Sequence, residues 1–246
     1  MKYQYVWLIW SSAFLLPWAT LFFFKPRHRG VMLRTSFFTM LLGLTEPLYV
    51  PSYWNPPSLF GLAQRTGFDV ESFIFCFAIG GIGAVLYNIV TTRDLVSVGG
   101  SERTGPRHRL HLWALVAPYV LFVPVYFLPW NAIYPSILCL IVGAAAACMC
   151  RPDITRKSLV GGLLFLGLYA AFMLGLRIFA PGYIEAVWNL PALSGLLFAG
   201  IPLEELAFGF SFGLYWTGLY EHFSWTRAAL ASGIAAPRSD DGAAGQ

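Results

Sequence analysis

Apolar residues fill the chain in seven runs, near residues 4–24, 31–51, 70–92, 110–129, 132–150, 158–180 and 201–221, with short polar or Pro/Gly-bearing stretches between them. Each run is close to the ~20 residues that an α-helix needs to cross a hydrocarbon core of about 30 Å. Backbone groups in lipid find no water to bond, so such runs predict helix rather than irregular chain. The expected fold is an all-α integral membrane protein of about seven transmembrane helices. The first run begins almost at Met1, without a basic leader or a small-residue cleavage site, and reads as a retained span.

The residues that interrupt the apolar pattern recur. Trp54-Asn55-Pro56-Pro57 through Glu71 to Asn88 returns as Trp188-Asn189-Leu190-Pro191 through Glu204 to Glu221. With one residue deleted before Gly200, Gly61 aligns with Gly195, Gly67 with Gly200, Glu71 with Glu204, Phe75 with Phe208, Gly80 with Gly213 and Tyr87 with Tyr220. The pattern predicts a three-helix repeat over 1–92, a basic loop and connector helix over 93–131, and a second three-helix repeat over 132–222. An odd connector helix returns the second unit to the orientation of the first, so the repeat is expected to be parallel, about an axis along the membrane normal. Gly80, Gly81 and Gly83, with Gly209, Gly213 and Gly218, are expected to let helices 3 and 7 approach each other. The tail over 223–246 is Ala/Gly/Ser-rich and is expected to be disordered.

Composition agrees. Hydrophobic residues make up 57% and charged residues 11%, against about 25% charged in soluble domains. The net charge of +4 could suggest nucleic acid, but its distribution speaks of topology instead. Thirteen of sixteen basic residues flank alternate loops, leaving Lys2, Arg65 and Arg177 for the other side. Basic loops stay cytoplasmic. The N-terminus is therefore expected outside and the C-terminus in the cytoplasm, with the cell (inner) membrane as the location.

Ionisable groups inside membrane helices are functional-site candidates by default. Glu46 lies fifteen residues beyond Val31, about 22 Å along a helix, and Arg177 lies deep in helix 6. Glu71, Glu204 and Glu205 fall in the first turns of helices 3 and 7. All five are expected in one outer layer. As structure only, the acidic pairs could complement helix N-termini and Glu46 could pair with Arg177; as chemistry, burial and neighbouring charge could set a protonated acid beside an ionised base. Adjacent helical residues point about 100° apart, so Glu204 and Glu205 cannot serve the same spot equally.

Other chemistries lack their residues. His28, His108, His111 and His222 are all placed at the cytoplasmic side, against a membrane di-iron hydroxylase or desaturase with clustered histidines. Lys2, Lys25 and Lys157 are placed outside the helices, against a retinal Schiff base. Gly80-Gly81-Ile82-Gly83 lacks the strand and spacing of a dinucleotide loop. Cys76, Cys139, Cys148 and Cys150 read as small apolar residues, and Cys148-Met149-Cys150 lacks the spacing of a zinc motif. No metal or cofactor is expected.

Trp188-Asn189-Leu190-Pro191, then Gly200-Ile201-Pro202-Leu203-Glu204-Glu205-Leu206-Ala207-Phe208 and Leu219-Tyr220-Glu221, resembles the integral-membrane lycopene cyclase domain family, whose members carry tandem three-helix units. The resemblance is specific in the second half and extends through the duplication over 1–222. It implies cofactor-free, non-redox cyclisation of lycopene-like ends to six-membered, β-type rings. The first copy reads Phe68-Asp69-Val70-Glu71-Ser72, so the halves are not chemically equivalent. Glu204 and Glu205 are the expected acid and its partner, Glu46 and Glu71 the base or cation stabilisers, and Arg177 the group that holds one carboxylate ionised. Trp54, Trp188, Asn55, Asn189, Phe75, Phe208 and Pro202 are the expected cavity residues, aromatic faces being suited to developing positive charge. The expected partners are a lipophilic polyene or isoprenoid entering from the bilayer and membrane lipid, with no nucleic acid. Two rivals share the layer: a hydratase in which water captures the cation, and a non-enzymatic transporter or binding protein.

Overall fold

Apolar, Gly-tolerant sequence in this chain condenses into helix wherever proline permits. The structure is a computed structural model, and it describes residues 3–230. In chain order the helices are α1 (Val6–Ala13), α2 (Leu15–Phe24), α3 (Arg29–Met40), α4 (Leu62–Thr66), α5 (Val70–Val90), α6 (Gly100–Arg103), α7 (His111–Tyr126), α8 (Ile133–Cys150), α9 (Thr155–Phe179), α10 (Tyr183–Val187) and α11 (Leu203–Ser224). Four short strands accompany them: β1 (Arg93–Ser97), β2 (Leu197–Phe198), β3 (Ile201–Pro202) and β4 (Thr226–Leu230).

Five segments are long and apolar enough to cross a membrane, among the described residues: Val6–Phe24, Val70–Val90, His108–Tyr126, Ile133–Cys150 and Pro152–Phe179. The two other expected spans are helical but different in kind. The run near 31–51 is α3 followed by a tighter 3-10 stretch, Leu41–Leu48, with Pro47 inside it. Proline supplies no N–H and crowds the preceding turn, which favours this tightening. Glu46 sits in that stretch. The last run is α11, whose first turn carries Glu204 and Glu205. Large apolar side chains such as Leu16, Phe24 and Ile178 are 72%, 78% and 82% exposed. Apolar surface of that kind suits lipid rather than water.

The glycines do different work from that expected. A Cβ on Gly80 would lie 2.0 Å from Thr39 Oγ1, and one on Gly81 would lie 2.3 Å from Ser36 Oγ. Both glycines admit α3. Gly209 and Gly213 meet Tyr169 and Phe165 of α9 in the same manner, and Gly218 meets Ile154 and Ser158. Of the six glycines expected to join helices 3 and 7, Gly83 is the one whose nearest neighbour is across that pair, at Phe212 of α11. Close approach is thus spent mainly on neighbours in sequence order, because those helices cross tightly while bulky aromatics fill the space between α5 and α11.

Two residue sets expected on the cytoplasmic side are placed differently from expectation. Lys157, expected outside the helices, is the third residue of α9; it is buried and donates to Asn88 Oδ1 at 2.8 Å and to the Glu221 carboxylate. Residues 223–230 are ordered as the end of α11 and as β4, which pairs antiparallel with β1, Leu95 opposite Ala228. The remainder of the expected tail lies outside the described residues. At the other end of the molecule Trp54 and Trp188 form an antiparallel bridge, closed by Asn55 N–H to Val187 O and Asn189 N–H to Tyr53 O, both 2.9 Å. The core joins the halves through aromatics: Trp54 meets Trp188 at 5.3 Å, and Phe14 stacks on Phe172 at 4.1 Å.

Candidate active site

The start of α11 is held by a two-residue hairpin. β2 and β3 pair across Ala199 and Gly200, both with positive φ, as a type I′ turn requires. Arg177 closes over this turn: its guanidinium donates to Ala199 O, and it occupies the space that a Cβ on Gly200 would need. Arg177 therefore braces the hairpin, and no ion pair joins it to a carboxylate among the described residues. Its expected role beside a carboxylate is not what the geometry provides, because the turn carbonyl takes its donors instead.

From the hairpin, α11 presents its two carboxylates to different surroundings. Glu204 Oε1 accepts the Ser194 N–H at 2.7 Å and the Tyr134 hydroxyl at 2.7 Å, so it pins the preceding loop. Glu71 does the same in the first half, where its Oε1 accepts the Leu59 N–H at 2.7 Å. Asp69 caps α5 through the Ser72 N–H. Neither Glu71 nor Glu204 lines the cavity described below.

Glu205 points inward. Its carboxylate accepts from the Tyr53 hydroxyl, from the Tyr169 hydroxyl at 2.5 Å and from Trp188 Nε1 at 2.7 Å. These donors come from three separate segments, so the carboxylate is fixed from several sides. Glu205 forms part of the wall of a cavity of about 310 Å³. That is at the low end of the ~300–1,000 Å³ of small-molecule pockets. Glu46 reaches the same cavity from the 3-10 stretch, with Ser72 and Trp54 as the polar side chains beside it. Its Oε1 is buried without a hydrogen bond. Trp54, Trp188, Phe75 and Phe208 complete the walls that concern chemistry.

The structure therefore gathers six of the expected residues around one space: Glu46, Glu205, Trp54, Trp188, Phe75 and Phe208. Asn55, Asn189 and Pro202 stand outside it. Asn189 Nδ2 fastens to Ser52 O at 2.9 Å, Asn55 Oδ1 receives Gln64, and Pro202 ends β3 at the N-cap of α11. Tyr53 and Tyr169 were not anticipated. Tyr53 could have been noticed as the residue before the repeated Trp54-Asn55, whereas Tyr169 lies in an apolar helix with no local signal.

Residues 131–223 match the family model described as lycopene cyclase. The chain is similar to the lycopene cyclase family over about two fifths of its length. The matched stretch contributes Glu205, Tyr169, Trp188 and Phe208 to the cavity, while Glu46, Tyr53, Trp54 and Phe75 come from the chain before it. The matched domain alone thus supplies only part of the wall. No curated protein and no solved structure matches the chain.

Proposed function

We propose that the protein is a membrane carotenoid or isoprenoid cyclase, an isomerase-type enzyme that closes the open ends of a lycopene-like polyene into six-membered, β-type rings. The observation that carries the reading is that Glu46 and Glu205 share one apolar, aromatic-walled cavity in a chain bearing a lycopene cyclase domain.

The two carboxyl groups differ in what surrounds them, and the difference assigns their roles. A carboxyl with one oxygen buried in an apolar wall and left without a hydrogen bond is costly as an anion, so Glu46 suits the carboxylic acid. A carboxylate served by two hydroxyls and an indole N–H suits the ionised form, so Glu205 suits the base. Glu46 delivers its proton to the terminal double bond, leaving a tertiary carbocation. The internal double bond attacks that carbon, a ring bond forms, and the positive charge moves to the ring. Glu205 removes a ring proton, which restores a double bond. Atoms balance: a proton enters and a proton leaves, so the product is an isomer. Trp54, Trp188, Phe75 and Phe208 offer π faces to the cation, and the apolar wall limits capture by water.

A cavity of this size receives one end of a long polyene, with the remainder extending toward the bilayer. Seven crossings, with the N-terminus outside and the C-terminus cytoplasmic, belong to the same proposal. So does the parallel repeat. Its support is that both antiparallel pairings join equivalent positions: Trp54 with Trp188 before the deletion, and Leu95 with Ala228 after it. A two-fold axis through both pairs relates the halves. The function is tested by expressing the chain in lycopene-producing cells and separating the pigments. Cyclic isomers are expected. Products heavier by water indicate a hydratase, and unchanged lycopene beside abundant protein overturns cyclisation of that substrate.

A further inference from the structure

A second polar cluster lies at the far end of α11. His222 is seventeen residues beyond Glu205, about 26 Å along the helix at ~1.5 Å per residue. There the start of α7, the end of α8 and the end of α11 come together. His108 and His111 turn their Nδ1 atoms toward Cys150 Sγ, each at 3.4 Å. The three ligand atoms all lie within 4.8 Å of one another. The His222 ring packs against His111, with centroids 4.4 Å apart. It is fully buried, yet neither Nδ1 nor Nε2 has a hydrogen-bond partner.

We propose that His108, His111 and Cys150 bind a divalent transition-metal ion of the zinc class, and that the unpartnered His222 beside them turns a ring nitrogen to it as the fourth donor. A thiol holds one proton and cannot donate to two imidazoles, whereas a thiolate and imidazole nitrogens converging on one point are the donor set that zinc takes. Ligand bonds of about 2.0–2.3 Å in a tetrahedron set donor atoms roughly 3.3–3.8 Å apart, which the two sulfur–nitrogen distances match. A buried imidazole without a hydrogen-bond partner is unfavourable, and a metal bond would satisfy it. Trp225 stacks on His111 at 4.1 Å and meets His108 edge-on at 4.9 Å, fixing both rings. Arg151, next to Cys150 in sequence, is matched by Asp153, which receives its guanidinium at 2.6 and 2.8 Å. His108 and His111 stand three residues apart, but Cys150 and His222 follow about forty and then seventy residues later, so the sequence does not announce the full set. The ion would act as a staple, joining the basic connector segment to the ends of α8 and α11. It stands apart from the cyclase reading and needs no part of it.

The full chain, purified in detergent and stripped with a chelator, is titrated with cobalt(II) and then with zinc(II). The expected result is stoichiometric cobalt with a thiolate-to-cobalt charge-transfer band, displaced by zinc. Zinc should also shield Cys150 from maleimide while leaving Cys148 reactive, a readout that needs no variant. Cys150→Ser should lose the band and Cys148→Ser should keep it; His222→Gln should weaken binding at least tenfold. Absence of the band together with full labelling of Cys150 in zinc overturns the site. A band that survives in folded Cys150→Ser overturns it equally.

Discussion

Glu204 and Glu205 are adjacent in sequence but belong to different structures: Glu204 holds the Ser194 N–H and the Tyr134 hydroxyl, while Glu205 is bound by Tyr53, Tyr169 and Trp188 at the wall of the cavity. The rotation of about 100° between neighbouring helical residues produces the division. One carboxylate secures the loop and the other faces the space where a ligand would sit.

The donors around Glu205 should matter through the base rather than through folding alone. Replacing Tyr169 with Phe keeps the ring that packs on Phe165 and Phe208 but removes one hydroxyl. A hydrogen bond to a charged group contributes about 1.5–3 kcal/mol, so the cyclisation rate should fall roughly 10- to 100-fold. Initial rates in isolated membranes, normalised to protein, check this. A rate within twofold of the wild type would remove Tyr169 from the site.

Glycine in the tight crossing of α3 and α5 should be hard to replace. Gly80→Ala puts a methyl group against Thr39, which also accepts Trp216 Nε1 at 3.1 Å. Overpacking of this kind costs about 1–3 kcal/mol. Gly167→Ala is the comparison, since nothing lies within 4 Å of a Cβ there. Thermal unfolding in detergent should show a lowered midpoint for the first and an unchanged or raised one for the second.

The Lys157–Glu221 pair should behave as a buried ion pair. Removing one partner strands the other, at a cost of about 3–5 kcal/mol, so Lys157→Met should unfold at markedly lower temperature. The double variant Lys157→Met/Glu221→Gln removes both charges and should recover most of the loss. The same unfolding assay decides between them, and equal destabilisation of single and double variants would contradict a pairing role.

Much of this was legible in the sequence, and the exceptions have physical causes. Length and hydropathy locate the helices, and the repeated Trp-to-Glu block locates the acidic end of α5 and α11. Glu46 and Glu205 were visible as charges in apolar runs. What the sequence could not rank was direction: Glu71, Glu204 and Arg177 share the same end of the molecule, but loop N–H groups and the Ala199 carbonyl draw them away from the cavity. Lys157 looked like a loop residue because the apolar run begins at Ser158, whereas α9 starts at Thr155, two residues before Lys157. The β1–β4 pair was hidden because each strand is short and finds its partner more than a hundred residues away.

The central claim is that Glu46 and Glu205, and not Glu204, carry out the proton transfers. Pigment analysis of lycopene-producing cells expressing matched amounts of Glu46→Gln, Glu205→Gln and Glu204→Gln tests it directly. General acid–base groups contribute about 10²- to 10⁴-fold, so the first two should lose cyclic product by that factor while the third retains most of its activity. Near wild-type cyclisation by folded Glu205→Gln or Glu46→Gln would contradict the account.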